Sequence, residues 1–352
     1  MRSIGIVGLA LAVYSTGGIP LRAQESKGQP GKIVEVATGN ALMKTPFGLD
    51  FLPNGDAVFA DFGSHRILRL DASGKITLIA GDGSAGFADG IADKAKFNAP
   101  HNVCVGPNGI IYVSDTLNHR VRRVDPVTGQ VTTIAGSQKG QGGDGGPANK
   151  ARFNELYHVA MEDPAGLIVV DLMNRKIRRI DLNSMKIDSI AGSGKKGPFV
   201  EGSQALEACL TDPRAAARGP DGSLWILERG GNCLRRVDPQ GTVSTVAGTG
   251  NAGPVADGLA AMATLRSPKY LWISRDDRSI WLADSSNHAI RQFDRQKGEL
   301  ATVAGTGKAG KGIAGGDPRS TALDQPHGVA VDSQGRIWIS DSENGRILRV
   351  EK

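Results

Sequence analysis

Near its end the chain reads Pro326-His327-Gly328-Val329-Ala330-Val331-Asp332, then Ile337-Trp338-Ile339-Ser340-Asp341, then Asn344-Gly345-Arg346-Ile347-Leu348-Arg349-Val350. The same order recurs at Pro100-His101-Asn102-Val103, Ile111-Tyr112-Val113-Ser114-Asp115 and Asn118-His119-Arg120-Val121. Every copy has an acidic residue at the end of its second run: Asp61, Asp115, Asp171, Glu228, Asp284 and Asp341. Their spacings of 54, 56, 57, 56 and 57 residues leave no room for a second globular domain in a chain of 352 residues.

Each copy predicts four short strands. The alternating run after the proline position is the first strand, the run into the acidic residue is the second, and the Arg-Ile-x-Arg-Val run is the third. Residues 131–136 and 243–248 are examples of the fourth. Four antiparallel strands repeated radially predict an all-β, six-bladed β-propeller, with blade repeats that start near residues 46, 100, 156, 213, 268 and 326.

The sequence also indicates how the ring of blades closes. The last copy stops after its third strand, and residues 32–39 match the fourth strand at residues 130–136. We therefore expect the amino-terminal strand to complete the sixth blade and to hide two strand edges. The predicted propeller domain covers residues 32–352.

The Pro-His-Gly-Val-Ala-Val-Asp, Ile-Trp-Ile-Ser-Asp and Asn-x-Arg-Ile elements resemble those of the NHL-repeat family of six-bladed propellers. The resemblance covers roughly residues 32–352. It implies the fold and leaves the function open, because the family holds lyases, ligand-sensing domains and interaction scaffolds.

The amino terminus is typical of a secretory signal peptide. Arg2 precedes an apolar stretch over residues 4–13, and a small-residue exit ends at Ala23. We expect cleavage after Ala23, a linker over residues 24–31, and an exported protein that is periplasmic or secreted. Removal of Arg2 and Arg22 lowers the formal net charge from +6 to +4. No later stretch is long and apolar enough to predict a membrane span.

One ring of residues is the candidate functional site. The first strand of each blade should line the central channel, and the residue after the proline position should lie at one mouth. These six residues are Phe47, His101, Tyr157, Arg214, Lys269 and His327. Arg214 and Lys269 are suited to bind a carboxylate or another oxyanion. His101, Tyr157 and His327 are suited to move protons. The alternative is a polar, water-filled channel that binds nothing.

A more distant resemblance links the chain to the amidating lyases that act on peptidyl-α-hydroxyglycine, which are six-bladed propellers with zinc-binding histidines on alternate blades. It implies a divalent metal, zinc or calcium, held by His101 and His327. Arg214 stands at the third alternate position, so a site with three protein ligands is incomplete. His158, one residue past the ring, should face the wedge between blades. The streptogramin-type lyases are similar in architecture only.

Two patterns that suggest nucleotide or nucleic-acid binding have simpler explanations. Gly81 to Gly86 satisfies G-x-G-x-x-G, but the motif recurs after four different fourth strands and is therefore a connector between blades. The doublets Arg122-Arg123, Arg178-Arg179 and Arg235-Arg236 lie on third strands of different blades and alternate between opposite faces. We expect no nucleic-acid partner.

The remaining polar residues of the repeat are interpreted as structural. The acidic residues should accept hydrogen bonds at the turn between strands two and three and pair with an arginine five residues later, as in Asp61/Arg66, Asp115/Arg120 and Asp341/Arg346. His65, His119 and His288 should be solvated residues of that turn.

An apolar residue stands three positions before each proline position, and it should follow one helical turn and pack between blades. These residues are Met43, Phe97, Phe153, Leu210, Leu265 and Leu323.

Cys209 and Cys233 should lie on the face that carries the ring, where a disulfide between them is geometrically possible. Cys104, inside a first strand, is predicted to be a buried free thiol.

Three functional hypotheses follow, each for a monomer. The leading one is recognition of a polar, anionic small molecule, glycan or peptide at the channel mouth. The second is a lyase that abstracts a proton there, with or without a divalent metal. The third is a scaffold for a protein partner.

Overall fold

Six antiparallel sheets surround a central axis in the computed structural model, which describes residues 31–351. Each sheet is one blade, and the innermost strands of successive blades contact one another around the whole ring. The described residues contain strands and short 3-10 turns, so the prediction of an all-β, six-bladed propeller is confirmed. The signal peptide predicted for residues 1–23 and most of the linker lie outside the described residues.

In chain order the strands are β1 Ile33–Thr38, β2 Pro46–Phe51, β3 Ala57–Asp61, β4 Arg66–Leu70, β5 Ile76–Ala80, β6 Gly90–Ile91, β7 Pro100–Val105, β8 Ile111–Asp115, β9 Arg120–Val124, β10 Gln130–Ala135, β11 Gly146–Pro147, β12 Leu156–Glu162, β13 Gly166–Asp171, β14 Lys176–Asp181, β15 Lys186–Ala191, β16 Pro213–Arg218, β17 Leu224–Glu228, β18 Cys233–Val237, β19 Val243–Ala247, β20 Gly258–Leu259, β21 Tyr270–Ile273, β22 Ser279–Asp284, β23 Ala289–Asp294, β24 Glu299–Ala304, β25 Gly328–Val331, β26 Ile337–Asp341 and β27 Arg346–Val350. The 3-10 turns are Pro107–Gly109, Thr116–Asn118, Ala148–Lys150, Ala260–Met262, Ser285–Asn287 and Pro318–Ser320. None of the helices in residues 31–351 is long and apolar enough to cross a membrane.

Each blade has the four strands that the repeat predicts. Blade one has the order β2-β3-β4-β5, and the other blades follow it, with β7, β12, β16, β21 and β25 as their innermost strands. Three blades carry an additional two-residue strand at the outer edge: β6, β11 and β20. These come from the glycine-containing connectors and were not predicted, because two residues are too short to show a hydrophobic period.

The amino-terminal strand closes the ring. β1 pairs antiparallel with β27, and Ile33 lies opposite Val350 while Thr38 lies opposite Arg346. The sixth blade therefore has the order β1-β27-β26-β25. The closure predicted from the sequence match is confirmed.

The hydrophobic core lies mainly between blades. All six residues predicted to pack there are buried: Met43, Phe97, Phe153, Leu210, Leu265 and Leu323. Phe153, for example, packs with residues of blades two and three. Three of the six follow a short 3-10 turn, Phe153 after Ala148–Lys150, Leu265 after Ala260–Met262 and Leu323 after Pro318–Ser320.

The acidic residues at the ends of the second strands are structural, but most pair with a different arginine from the one predicted. The Asp115 carboxylate lies 2.7 Å from Nη1 of Arg122, seven residues later, and both side chains are fully buried. The same spacing holds for Asp171/Arg178, Glu228/Arg235 and Asp284/Arg291. Side chains alternate along a strand, so the first and third residues of the third strand point to the same side of the sheet. The third residue is the more enclosed of the two, and it therefore forms the buried ion pair.

Blades one and six depart from this spacing because a leucine, Leu68 or Leu348, stands where the other blades have the arginine. In blade six Arg346 therefore pairs with Asp341 at 2.7 Å, as predicted. In blade one Arg66 donates to the carbonyl of Asp82 instead. Asp61 accepts hydrogen bonds from the backbone N–H groups of residues 44, 45 and 64.

Candidate functional site

The six residues predicted to form the ring lie together at one mouth of the central channel. A local irregularity places them there: the register between the first and second strands shifts after Pro46, Pro100, Leu156 and Pro213. A bulge of this kind leaves one residue unpaired and turns its side chain away from the sheet. In blades one to four that unpaired position holds Phe47, His101, Tyr157 and Arg214.

Aromatic rings stack on one half of the mouth. Phe47 lies flat against His327, with ring centroids 3.9 Å apart and planes 4° from parallel. Phe62 covers the other side of Phe47 at 4.7 Å. His101 meets Phe47 edge-on at 4.7 Å and Tyr157 at 4.5 Å. Blades one to three therefore present a continuous aromatic surface, which blade six joins through His327.

Positive charge occupies the other half. The Arg214 guanidinium lies 3.7 Å from the centroid of the Tyr157 ring, and its Nη2 lies 3.1 Å from Nε2 of His101. Lys269 Nζ lies 2.8 Å from Nε2 of His327. Arg229, in the turn between strands two and three of blade four, also lies near Lys269, and its Nε forms an ion pair with Oδ2 of Asp212 at 2.6 Å.

The turns around the mouth show the same division into an apolar half and a charged half. Phe62, Leu117 and Met173 occupy the turns of blades one to three and are 36%, 48% and 48% exposed. Arg229 and Glu343 lie in the corresponding turns of blades four and six. A ligand at the mouth would therefore meet an apolar side and a charged side.

A layer of residues directly below the ring closes the channel. Tyr270, from blade five, reaches across it: its hydroxyl accepts a hydrogen bond from Nδ2 of Asn102 in blade two at 2.9 Å and contacts the Leu49 carbonyl of blade one at 3.4 Å. Gly48 and Gly328 stand at equivalent positions in blades one and six, and a Cβ at Gly48 would clash with Asn102. Tyr270 and Asn102 therefore form a floor beneath the ring, and we call the ring together with this floor the cup.

His158 belongs to this floor, and the prediction that it faces the wedge between blades is wrong. Its ring centroid lies 5.0 Å from that of Tyr270, and both ring nitrogens are buried. The register shift between Leu156 and His158 is the reason, because the extra residue breaks the alternation and lets Tyr157 and His158 both face the axis. Burial lowers the pKa of His158 to about 3.

Arg214 is a buried cation without an acidic partner. Its side chain is enclosed, with the residue 5% exposed, and Nε and Nη1 have no hydrogen-bond partner. Among the described residues no carboxylate lies within salt-bridge distance of its guanidinium. Burial lowers the pKa of Arg214 to about 10, which still leaves it charged at neutral pH.

Both ring histidines are neutral near pH 7. Burial, followed by the nearby positive charges of Arg214 and Lys269, holds the pKa values of His101 and His327 well below the usual 6.5. Nδ1 of His327 lies 2.9 Å from the Gln325 carbonyl and therefore carries the proton, which leaves Nε2 as an acceptor facing Lys269. These histidines can accept a proton only transiently.

The donor set does not fit the zinc site that the lyase resemblance implies. Residues 31–351 contain no group of three or more His, Cys, Asp or Glu side chains arranged to hold a metal ion. Nε2 of His101 faces Arg214 and Nε2 of His327 faces Lys269, so each candidate ligand atom meets a cation. Calcium would require several oxygen ligands, which these imidazoles cannot provide.

The three cysteines are free, and the predicted bridge between Cys209 and Cys233 is not formed. Each sulfur has its own neighbour: Sγ of Cys209 lies 3.7 Å from Oγ of Ser193, and Sγ of Cys233 lies 3.8 Å from Oε2 of Glu228. Cys104 is a buried thiol, as predicted, and burial raises its pKa well above the usual value.

The turn histidines are links between blades, so the prediction that they are solvated is wrong. Nδ1 of His119 accepts a hydrogen bond from the backbone N–H of Glu155 in the next blade at 3.1 Å. His65 and His288 do the same for Ala99 and Gln325. In each pair both residues adopt left-handed backbone angles, with φ of 56° at His119 and 59° at Glu155. These links hold the segment that enters the ring.

Two clefts at the outer edges of the blades have volumes of about 300 and 400 Å³. The first is lined by residues such as Thr133, Pro147 and Met185, and the second by residues such as Leu78, Ile91 and Val127. Neither cleft brings together titratable groups as the cup does, so the cup remains the candidate site.

Comparison with known proteins identifies NHL repeats at residues 97–124 and 323–349. NHL repeat-containing protein 2 of Gallus gallus is 27% identical over 322 residues, which cover 82% of this chain and 44% of that protein. The chloroplastic protein SUPPRESSOR OF QUENCHING 1 of Arabidopsis thaliana is 27% identical over 289 residues, which cover 78% of this chain and 27% of that protein. The chain thus carries NHL repeats and spans less than half the length of these relatives.

Solved structures with the same fold have varied functions. An auxiliary nutrient binding protein from Bacteroides ovatus superimposes with a TM-score of 0.65 at 15% identity, covering 92% of this chain and 77% of that one. A gluconolactonase from Xanthomonas campestris superimposes with a TM-score of 0.60 at 12% identity, covering 91% of this chain and 89% of that one. Virginiamycin B lyase from Staphylococcus aureus superimposes with a TM-score of 0.55 at 14% identity, covering 91% of this chain and 99% of that one. At these identities the likeness shows the fold alone.

Proposed function

We propose that the cup at the channel mouth binds an anionic ligand through Arg214 and Lys269. The observation that carries this proposal is the buried Arg214 guanidinium, whose Nε and Nη1 atoms have no hydrogen-bond partner and which has no acidic partner. Burying a charge without a partner is costly, and a carboxylate or another oxyanion of the ligand would provide the missing hydrogen bonds.

The two halves of the mouth suggest how the ligand would lie. Its anionic group would contact Arg214 and Lys269, and a planar or apolar part would pack on Phe62 and the Phe47–His327 stack. The floor formed by Tyr270 and Asn102 would stop the ligand from threading the channel. An acidic small molecule, one end of an acidic glycan, or the carboxyl end of a peptide meets these requirements.

The fold is compatible with this role, since proteins named for nutrient binding share it. The test is a thermal-shift screen with benzoate, phenylacetate, pyruvate and galacturonate, each beside a neutral alcohol of similar shape. We expect at least one carboxylate to raise the Tm by about 3 °C or more at saturation, and its alcohol to have little effect.

The variant Arg214→Met should weaken binding of the active carboxylate about 10-fold or more, because a hydrogen-bonded charge is lost. Arg123→Met is the matched control, since Arg123 lies on the outside of blade two, 3.8 Å from Asp125. A response that is equal in wild type and Arg214→Met would overturn the proposal. If His327→Ala also left every response intact, the scaffold hypothesis would replace it.

A lyase is the second candidate, and the state of Lys269 favours it. Burial, and then repulsion by Arg214 and Arg229, lowers the pKa of Lys269 to about 7, so its amine can take a proton at neutral pH. In this reading Lys269 removes a proton from the carbon beside a carboxylate that Arg214 holds. His327 and His101 would position the amine and the guanidinium, and Tyr157 would donate to the leaving group.

Proton abstraction can be tested without knowing the leaving group. Wild-type protein should exchange the α-hydrogen of a bound carboxylate for deuterium in D₂O, as seen by NMR, and Lys269→Met should not, even at a ligand concentration that saturates it.

We also propose that the protein is exported, because its amino terminus has the charged start, the apolar stretch and the small-residue exit of a secretory signal peptide. Cleavage after Ala23 would leave Gln24 as the first residue. Intact-mass analysis of protein from the periplasm or the medium tests this, and a secreted species that retains Met1 would contradict it.

A further inference from the structure

The amine of Lys269 is held in the cup by neutral groups only. Nζ donates to Nε2 of His327 at 2.8 Å and to Oε1 of Gln325 at 3.1 Å. In the part of the chain that the structure describes, no carboxylate forms a salt bridge with it. Neither neighbour requires the amine to be charged, because each accepts a hydrogen bond equally from an NH₂ group.

The surrounding structure fixes the position of these two acceptors. The proton on Nδ1 of His327 is directed at the Gln325 carbonyl, and the imidazole is stacked on Phe47. The backbone N–H of Gln325 donates in turn to Nδ1 of His288 at 3.2 Å, which holds the residue at a left-handed φ of 46°. Both acceptors therefore face the amine without side-chain rearrangement.

The charged groups around Lys269 act mostly against its protonation. Arg214 and Arg229 repel a charge on Nζ, and Glu343 attracts it more weakly. His327 is neutral, as is His101, whose ring centroid lies 5.9 Å from that of His327. Such a desolvated lysine beside other cationic groups is the environment in which an amine becomes a nucleophile.

We propose that Lys269 forms an imine with a carbonyl compound whose carboxylate is held by Arg214. The inference rests on the proposed function, since Arg214 must orient the ligand. The ligand class is the oxo acids, in which an aldehyde or ketone carbonyl lies close to a carboxylate.

The chemistry balances with water as the only product besides the imine. The lone pair of Nζ attacks the carbonyl carbon, the carbonyl oxygen takes up a proton, and a carbinolamine forms. In that step one proton has moved from nitrogen to oxygen; the nitrogen then gives its second proton to the departing hydroxyl, which leaves as water, and a C=N bond replaces the C=O bond. Nε2 of His327 lies 2.8 Å from the nitrogen and can carry the proton between nitrogen and oxygen.

The test traps this imine with an external reductant. The folded protein is incubated at about pH 7 with glyoxylate and cyanoborohydride, which supplies the hydride that converts the imine to a stable carboxymethyl-lysine. Peptide mass spectrometry then compares Lys269 with Lys297, an exposed lysine of the same chain. We expect modification of Lys269 to be at least about 10-fold faster, because only an uncharged amine attacks a carbonyl and the cationic neighbours of Lys269 favour that form.

Two comparisons separate this inference from the proposed function. Glycolaldehyde has the carbonyl without the carboxylate, and it should label Lys269 about 10-fold more slowly than glyoxylate. Arg214→Met should remove that preference while leaving Lys297 unchanged. Labelling of Lys269 no faster than that of Lys297 would overturn the imine inference and leave carboxylate binding intact. Equal labelling of Lys269 by the two aldehydes would overturn the role of Arg214 in both the imine inference and the proposed carboxylate binding.

Discussion

At the scale of single residues, the cup concentrates charges that the fold itself does not neutralise. Arg214 has no acidic partner, Lys269 hydrogen-bonds only to neutral groups, and the imidazoles that they contact, His101 and His327, are neutral. Elsewhere the propeller pairs its buried arginines, as Arg122 with Asp115. The contrast between paired arginines in the blades and the unpaired one at the mouth distinguishes a binding site from packing.

The state of Lys269 predicts a pH dependence of stability. Its folded pKa of about 7 lies below the usual 10.5, so between these values the unfolded chain holds a proton that the folded protein lacks. The free energy of unfolding should therefore rise with pH in this window, by up to about 1.4 kcal/mol per pH unit from this group. Urea denaturation between about pH 7.5 and about pH 9.5 should show a smaller rise for Lys269→Met than for wild type. Parallel curves would show that the amine is not perturbed.

The ring itself could be predicted from the sequence, because one position repeats six times and carries functional side chains in five copies. The floor of the cup, formed by Tyr270, Asn102 and His158, could not be predicted. Whether His158 and Tyr270 face the axis depends on the register shift at the start of each first strand, and no residue type in the repeat marks that shift. The sequence likewise predicts only anion binding for Lys269, because the low pKa of its amine depends on burial and on charged neighbours from blades four and six.

At the scale of strands and turns, the repeat is held by two recurring polar contacts. One is the buried ion pair between second and third strands, and the other is the link from a turn histidine to the next blade. The sequence showed that these positions recur but not what they contact. The pairing of Asp115 with Arg122 instead of Arg120 depends on which side chain is enclosed, and the histidine links join residues 34 to 37 positions apart.

The arginine doublet of blade two offers a matched pair of substitutions. Arg122→Met leaves Asp115 buried without its partner and should lower the free energy of unfolding by about 3–5 kcal/mol. Arg123→Met, on the opposite and more exposed face, should change it by less than about 0.5 kcal/mol. Urea denaturation of both variants measures the difference. Equal effects would mean that the buried pair is not a structural requirement.

The links between blades can be tested by substitution at His119. His119→Ala loses the acceptor for the Glu155 N–H and places alanine at a left-handed φ, and it should cost about 2–3 kcal/mol. His119→Asn should cost much less, because Asn232 makes the equivalent contact with the Ser267 N–H in blade four, at 2.9 Å. Thermal denaturation compares the two, and an asparagine variant as unstable as the alanine variant would contradict the role of the link.

At the scale of the whole molecule, one strand pairing closes the ring. β1 covers the edge of β27, and Ile33 packs in the cluster that contains Leu348 and Val350. Deletion of residues 24–40 should therefore abolish the cooperative unfolding transition, whereas deletion of residues 24–30 should preserve it. Circular dichroism during urea titration tests this, and an unchanged transition after the longer deletion would refute closure as a requirement for folding.

The ring of blades also explains why one position can form a site. Six first strands deliver one side chain each to the same opening, so residues more than 250 positions apart, such as Phe47 and His327, lie in contact.

The most direct test of the binding site is a crystal structure of the protein soaked in bromide, in which the bromide ions are located by their anomalous scattering. We expect a bromide ion in the cup, against Nε or Nη1 of Arg214, and no such ion in Arg214→Met. Bromide ions on surface arginines with none in the cup would contradict the proposed anion site.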